Sequence, residues 1–369
     1  LGVTVVRHPA RFIDANTIEA GGKQYKARRI VISTGSSPSA PPIPGLDTVD
    51  YFTNEDIFEN KKLPEHLIII GGGPIGMEMA QAHKRLGAKV TVLEAFQPLG
   101  KDDPELTAIV LSHLKSEGVD IRAGAKIIAI SKGKAKGSVE ITLEGEAGKN
   151  EILAGSHLLV AAGRKANVDG MNLEAAGIEY DRRGIKVDKG LRTTNRKVYA
   201  IGDVAGGLQF THVAGYHAGL AIKSILFRLP VKNETHIIPW VTYTDPELAH
   251  IGMTEEQAKK DNRDHKVLRW HFAENDRARA ERKTTGMIKA IVSGKGEILG
   301  CSIVAPNAGD LIQPWALAIT SKLKIKAMID MVAAYPTLSE VSKRAATSYY
   351  GDLPKKPMVR RIISWLKIF

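Results

Sequence analysis

Cysteine is all but absent: Cys301 is the only one in 369 residues. A single thiol excludes an intramolecular disulfide and a multi-cysteine metal site, and no metal ligands are assigned. Within Leu299-Gly300-Cys301-Ser302-Ile303-Val304 it reads as a small buried hydrophobe rather than a reactive thiol. No apolar run approaches the roughly eighteen residues that a bilayer span requires. Neither a methionine nor a signal peptide opens the chain. It starts in Leu1-Gly2-Val3-Thr4-Val5-Val6, which reads as mid-strand and suggests that a preceding piece is missing. Acid is the scarcer charge, with 40 Asp and Glu against 52 Lys and Arg, a formal net charge of +12. The cations are spread along the chain with no recognition helix or aromatic stacking motif, so nucleic-acid binding is not expected. A basic soluble enzyme that attracts anionic dinucleotides fits better. Hydrophobic content of 43% and charged content of 25% suit a cytoplasmic globular protein of two or three domains.

What is present is organised around Leu67-Ile68-Ile69-Ile70-Gly71-Gly72-Gly73-Pro74-Ile75-Gly76-Met77-Glu78. A short aliphatic strand feeds Gly-x-Gly-x-x-Gly, a helix follows to Leu86, Gly87 stops it, and Lys89–Glu94 forms a second strand. Gly71 permits the tight turn, Gly73 admits a pyrophosphate to the backbone, and Gly76 lets helix and strand pack closely. Pro74 and Ile75 open the helix, whose N-terminus offers unpaired N–H groups to phosphate. Glu94, about twenty residues on, is placed to accept hydrogen bonds from an adenosine ribose and to repel a 2′-phosphate, which favours NADH over NADPH.

Ahead of this unit, short strands are predicted at Val3–Val6, Phe12-Ile13, Thr17–Glu19 and Arg29–Ser33, with a hairpin at Gly21-Gly22. Pro38, Pro41, Pro42 and Pro44 then take the chain out of its sheet. After Glu94 a helix is predicted over Asp103–Glu117 and strands over Val119–Arg122, Lys126–Ile130 and Val139–Leu143. The exit Val160-Ala161-Ala162-Gly163-Arg164 echoes Ile32-Ser33-Thr34-Gly35, which suggests two related nucleotide-binding domains, one inserted in the other. Val198–Ala205 is a strand reaching a Gly202-Asp203 turn, and Thr211–Phe227 a helix rich in small residues. Residues 237–350 alternate strands (Trp240–Tyr243, Val267–Phe272, Gly286–Val292, Ile298–Val304) with helices near Glu255–Lys260 and Asp310–Ser321, an α+β pattern.

Six motifs, in order, resemble the pyridine nucleotide–disulfide oxidoreductases, the family of dihydrolipoamide dehydrogenase, glutathione reductase and mercuric reductase. They are Ser33-Thr34-Gly35, the Gly71–Glu78 fingerprint, Ala162-Gly163-Arg164, Tyr199-Ala200-Ile201-Gly202-Asp203, Thr242-Tyr243-Thr244-Asp245-Pro246-Glu247 and Tyr335-Pro336-Thr337-Leu338-Ser339-Glu340. The resemblance implies an α/β fold of two nested Rossmann-like domains, the FAD one incomplete, plus a C-terminal α+β dimerisation domain. Residues 1–60 and 169–232 would be FAD-binding, 61–168 NAD-binding, 237–350 the interface domain of a homodimer, and 351–369 a basic tail. It further implies that Asp203 holds the ribityl chain of FAD, that the helix opening at Thr211 points its N-terminus at the flavin, and that Glu78 lies beside the nicotinamide, paired with a lysine. Thr34, Gly35, Gly163 and Gly202 complete the cofactor-binding set. The family passes hydride from NAD(P)H to FAD and electrons on to a cysteine pair and a substrate.

The sequence departs from that pattern in having no FAD Gly-x-Gly-x-x-Gly, no Cys-x4-Cys pair, no lysine expected to partner Glu78 and no C-terminal vicinal cysteines. Tyr335 stands where glutathione and lipoamide enzymes place a histidine base, while Glu340 keeps the place of the acid that orients it. A phenol with pKa near 10 is mostly neutral at pH 7 and cannot relay protons as imidazole does. The leading reading is therefore an NADH-dependent FAD oxidoreductase presented without its N-terminal part, with NAD(H) expected on this chain and FAD in the complete protein. Its catalytic set is Glu78, Tyr335 and Glu340, and its small-molecule acceptor a quinone, a metal ion or a disulfide. A dihydrolipoamide dehydrogenase or mercuric reductase proper, and a non-catalytic NAD-binding dimerisation module, stay open beside it. In the tail, a helix over Met358–Phe369 would gather Val359, Ile362, Ile363, Leu366 and Phe369 on one face, with Trp365 at its edge and Arg360, Arg361, Ser364 and Lys367 opposite. That face either packs on protein or contacts the surface of an anionic membrane through 355–369.

Overall fold

A computed structural model describes residues 2–145 and 149–368. The chain divides into two compact units, one comprising the chain up to Ala40 together with Gly163–Thr235, the other Pro41–Ala162 together with the chain from His236 onward. The first unit is thus discontinuous, with a long segment inserted into it, as nested domains require.

In the first unit, strands Ile30–Ile32 and Val198–Ala200 pair in parallel. Ala10–Phe12, Thr17–Ala20 and Lys23–Lys26 form an antiparallel meander whose hairpin turns at Gly21 and Gly22, both at positive φ. Phe12, Ile30, Ile32, Val198 and Ala200 share one apolar core. The strand expected at Val3–Val6 does not form: no ladder reaches these residues, and Val3 and Val5 stand exposed. Four consecutive β-branched residues favour an extended backbone, but without a neighbouring strand that preference produces no sheet. Leu1, the first residue of that run, lies outside the described residues.

The second unit contains a four-stranded parallel sheet ordered His157–Val160, His66–Ile70, Lys89–Glu94, Asp120–Ala123. Its central strands read as unbroken aliphatic runs because both faces are covered: Met77 and Ala80 of helix Pro74–Arg85, with Leu106, Val110 and Leu114 of helix Pro104–Ser116, pack on Leu67, Ile69 and Val92, and Ile130, Ile141 and Leu153 pack on Ile68, Ile70 and Leu93. Strands Ile127–Lys132, Val139–Leu143 and Glu151–Gly155 form an antiparallel excursion from it. A second sheet is antiparallel and five-stranded, ordered Trp240–Thr242, Glu247–Gly252, Ile298–Ala305, Met287–Val292, Lys266–His271. Its core holds the fully buried Trp315, and Cys301 lies there too, its thiol pushed well up by burial. The helix expected over Asp310–Ser321 is two, Ala308–Leu311 and Gln313–Thr320. Pro314 causes the division: it has no N–H to continue the ladder, and it sits in the first turn of the second helix, where none is needed.

Two buried polar contacts tie the sheets of this unit together. Lys289, only 4% exposed on the second sheet, places Nζ 2.8 Å from Asp103, 2.8 Å from Glu105 and 2.7 Å from Glu255. Burial alone would push this ammonium down, and the hydrogen bonds to the three carboxylates more than offset it. Asp103 also caps helix Pro104–Ser116 by accepting from the Glu105 N–H. Beside it, Asp102 accepts a 2.7 Å hydrogen bond from Trp240 Nε1.

Burial pushes Asp102 from its ordinary 3.8 up to about 6, against the Trp240 bond that favours the ionised form. Between those values the folded state holds more protons than the unfolded, so stability falls as pH rises through the window and stays lower above it. Asp102→Asn keeps an acceptor for Trp240 and removes the titration. The variant should gain about 2–3 kcal/mol over the parent at pH 7 and little at pH 3.5. Urea unfolding across that pH range checks it, and parallel curves for the two proteins would contradict the assignment.

Candidate active site

The fingerprint turn follows from three backbone demands. Strand His66–Ile70 is buried throughout and ends at Gly71, whose φ of 110° suits glycine. A Cβ on Gly71 would lie 2.5 Å from the Ala161 carbonyl oxygen, and one on Gly76 would lie 2.0 Å from the carbonyl oxygen of Gly71. At Gly73, by contrast, a Cβ would meet no atom within 4 Å. Gly73 is the N-cap of helix Pro74–Arg85; no side chain caps that end, and Pro74 occupies the first turn, where its missing N–H costs nothing. Ile75 lies beside it, half-buried. An open backbone cradle at an uncapped helix N-terminus is the arrangement that receives a pyrophosphate. Glu94 ends the neighbouring strand with its carboxylate fixed: Oε2 accepts from Gly72 N at 2.6 Å and Oε1 from Phe96 N at 2.9 Å. Each oxygen keeps a further lone pair for a ribose hydroxyl.

Four residues past Pro74, Glu78 is half-buried, and Oε1 accepts a 2.9 Å hydrogen bond from Tyr243 N. Burial raises its pKa, partly opposed by that bond. No ion pair involves Glu78 among the described residues. Further along the helix, Gln81 accepts from Asp245 N and donates to Asp245 O, each at 2.7 Å. Arg85 reaches Glu117 at 2.6 Å and the Asp245 carboxylate at 3.0 Å. One helix therefore presents its N-terminus to a ligand and grips segment 243–245 with its side.

The expected flavin-side residues gather in the other unit. Asp203 Oδ2 accepts a 2.5 Å hydrogen bond from Ser36 Oγ, which accepts in turn from Arg164 Nε at 2.7 Å. Arg164 Nη2 also donates to Ser36 O at 2.6 Å. Thr34 and Gly35 are held through Asn167: Thr34 Oγ1 donates to Asn167 O at 2.7 Å, and Asn167 N donates to Gly35 O at 2.9 Å. Gly163 O accepts from Ser39 N. Gly202 donates its N–H to Nδ1 of the buried His217 at 3.2 Å, so the turn carrying Asp203 hangs on a neutral imidazole, whose pKa burial lowers. Thr211 is the first residue of helix Thr211–Leu226, whose N-terminus no side chain caps. Ser36 and His217 were not singled out from the sequence, and Arg164 entered only as the last residue of a motif. Ser36 and Arg164 adjoin the Gly35 and Gly163 exits, which is the signal that could have found them.

Tyr335 and Glu340 are not hydrogen-bonded to each other. Tyr335 is 70% exposed and donates from its hydroxyl to Asp276 Oδ2 at 3.2 Å, which raises its pKa. Glu340 Oε2 accepts from Thr337 N at 3.4 Å at the start of helix Glu340–Thr347. Glu340 also lines an open cleft of about 530 Å³ with Trp270, Lys343, Arg344 and Ser348.

Residues 1–218 match the family described as pyridine nucleotide-disulphide oxidoreductase, and residues 238–346 match its dimerisation domain. The chain belongs to the pyridine nucleotide-disulphide oxidoreductase family. It is 36% identical over 357 residues to a mercuric reductase of Bacillus cereus, covering 96% of this chain and 56% of that protein. It is 33% identical over 363 residues to a dihydrolipoyl dehydrogenase of Geobacillus stearothermophilus, covering 95% and 75% respectively. Among solved structures, the Cu(II) complex of the HOCl-induced flavoprotein disulfide reductase RclA from Escherichia coli superposes with a TM-score of 0.85 at 30% identity, over 93% of this chain and 79% of that one. The chain spans 56%, 64% and 65% of the lengths of three mercuric reductases that it matches, from Bacillus cereus, Lysinibacillus sphaericus and Staphylococcus aureus.

The glycine geometry separates folding from binding. Gly73→Val adds a side chain where the fold leaves room, so thermal stability should hold while NADH binding is lost. Gly76→Ala forces a methyl onto the Gly71 carbonyl and should lower the melting temperature. Melting curves and NADH fluorescence titrations of both variants check this, and retained NADH binding by Gly73→Val would contradict the cradle.

Proposed function

We propose that this chain is an NADH-dependent flavoprotein oxidoreductase that works as a homodimer through residues 237–350 and reduces a small-molecule acceptor. The observation that carries the reading is the open backbone at Gly73, set at an uncapped helix N-terminus beside the fixed carboxylate of Glu94. When bound, the two groups, NADH and FAD, would supply hydride transfer between a nicotinamide and a flavin ring. The residues present suit the dinucleotide, and they supply the ribityl and ring-edge part of a flavin site whose Gly-x-Gly-x-x-Gly this chain does not carry. Gly73 and the first turn of helix Pro74–Arg85 would hold the dinucleotide pyrophosphate, and Glu94 the adenosine ribose. Asp203, oriented by Ser36 and Arg164, would hold the ribityl chain. The end of helix Thr211–Leu226 would lend its partial positive charge to a reduced flavin ring. Glu78, its carboxyl pushed up by burial, would sit in a desolvated surface beside the nicotinamide.

The acceptor follows from Tyr335. An exposed phenol whose pKa Asp276 raises keeps its proton at neutral pH and offers no base for thiol–disulfide exchange. Glu340, engaged with Thr337 N, does not orient it. This favours an acceptor that needs no histidine base, a quinone or a metal ion, over lipoamide or glutathione. The names of the relatives keep a second reading in view, a mercuric reductase or dihydrolipoyl dehydrogenase proper.

The purified protein should show visible flavin absorbance that NADH bleaches at concentrations where NADPH does not. Glu94→Arg should reverse that preference by removing the repulsion of a 2′-phosphate. Absorbance titration of both proteins with both cofactors checks this. A colourless protein that still binds NADH would leave only a dinucleotide-binding module, and an unchanged preference in the variant would remove Glu94 from the site.

A further inference from the structure

Helix Pro357–Leu366 is the one element longer than eight residues in which no side chain is buried, among the described residues. Pro357 starts it, and Lys356, extended as the residue before a proline tends to be, separates it from the turn Leu353–Lys355. At 100° per residue, Met358, Val359, Ile362, Ile363, Trp365 and Leu366 fill roughly 160° of its circumference, and Arg360, Arg361, Ser364 and Lys367 take the other side. The apolar side faces water: Met358, Ile362, Ile363 and Leu366 are exposed, and Trp365 is 60% exposed. A face of this kind does not cover the chain's own core, so something else must cover it. Phe369, which the expected face included, lies outside the described residues.

We infer that this helix is a docking element for an anionic bilayer surface. Charge selects the occupant. From Leu353 to Ile368 the chain carries Lys355, Lys356, Arg360, Arg361 and Lys367 and no acid. Asp352, just before, pairs with Lys355 at 3.1 Å and leaves the other four cations beside the apolar face. A second copy packed face to face would bring the same acid-free run of cations against this one, whereas acidic lipid attracts it. Ten helical residues reach about 15 Å, half the hydrocarbon thickness, so the helix lies along the surface and does not span it. Its apolar side enters the acyl boundary, with Trp365 at headgroup level and the arginines over the phosphates. The inference is independent of the redox reading and holds whatever the acceptor is.

The test is co-sedimentation of the full chain with vesicles of phosphatidylcholine containing about one-third phosphatidylserine, run beside vesicles of phosphatidylcholine alone. The protein should pellet with the acidic vesicles, less so as salt rises, and stay in solution with the neutral ones. Arg360→Glu with Arg361→Glu should lower the partition coefficient by at least about thirtyfold, and Ile362→Glu with Leu366→Glu should abolish binding. Both variants should keep the parent's sedimentation coefficient without lipid. Failure of the parent to bind acidic vesicles, or equal binding to neutral ones, overturns the inference. A changed sedimentation coefficient in the Ile362/Leu366 variant, with no vesicle binding by the parent, assigns the face to a second copy instead.

Discussion

Gly71 and Gly76 bring two pieces of backbone closer than any residue with a Cβ would permit, since a Cβ on Gly76 would sit 2.0 Å from the Gly71 carbonyl oxygen. That approach sets helix Pro74–Arg85 directly against strand His66–Ile70 and aims its N-terminus over the end of the parallel sheet. The open space at Gly73 exists because its two neighbours in the motif are pinned. Glu94 belongs to the same constraint: its carboxylate is hydrogen-bonded to the Gly72 amide, so the acid that would select the cofactor also fixes the turn that would bind it.

The side of the same helix has a structural duty. Glu78, Gln81 and Arg85, spaced so that they share one face, bind the backbone or side chains of Tyr243 and Asp245. Together with the buried ammonium of Lys289 among three carboxylates, they join the parallel sheet to the five-stranded one within a single compact unit. Removing one partner of such a buried charge cluster costs about 3–5 kcal/mol, which makes these contacts a constraint on how the unit can vary. The residue expected to act beside a nicotinamide is thus held in place from the opposite direction, by the amide of Tyr243.

Features that depend on neighbours in sequence were legible there. The fingerprint's strand, helix and acid, the hairpin at Gly21-Gly22 and helix Thr211–Leu226 arise from local periodicity and glycine placement. Residues 3–6 failed as a strand because pairing is a property of a partner, which no pattern within four residues reveals. The helix expected over Asp310–Ser321 is divided at Pro314, whose missing N–H interrupts the ladder. The links between Asp203, Ser36 and Arg164, between Asp102 and Trp240, and between Asp103 and Lys289 join residues more than a hundred positions apart. No spacing rule connects them. Tyr335 shows a third limit: its position in the motif suggested Glu340 as partner, whereas the fold gives it Asp276.

The central claim is that the turn from Gly71 to Gly76 is where a dinucleotide binds. Hydrogen exchange of the backbone amides with and without NADH tests it most directly, because a pyrophosphate on that cradle accepts hydrogen bonds from the amides themselves. Exchange should slow across residues 71–76, and to a lesser degree at 94–96 where Glu94 is anchored. It should stay unchanged in strand Lys23–Lys26, which takes no part in either expected cofactor site. Saturating NADH with no added protection at 71–76 would contradict the account.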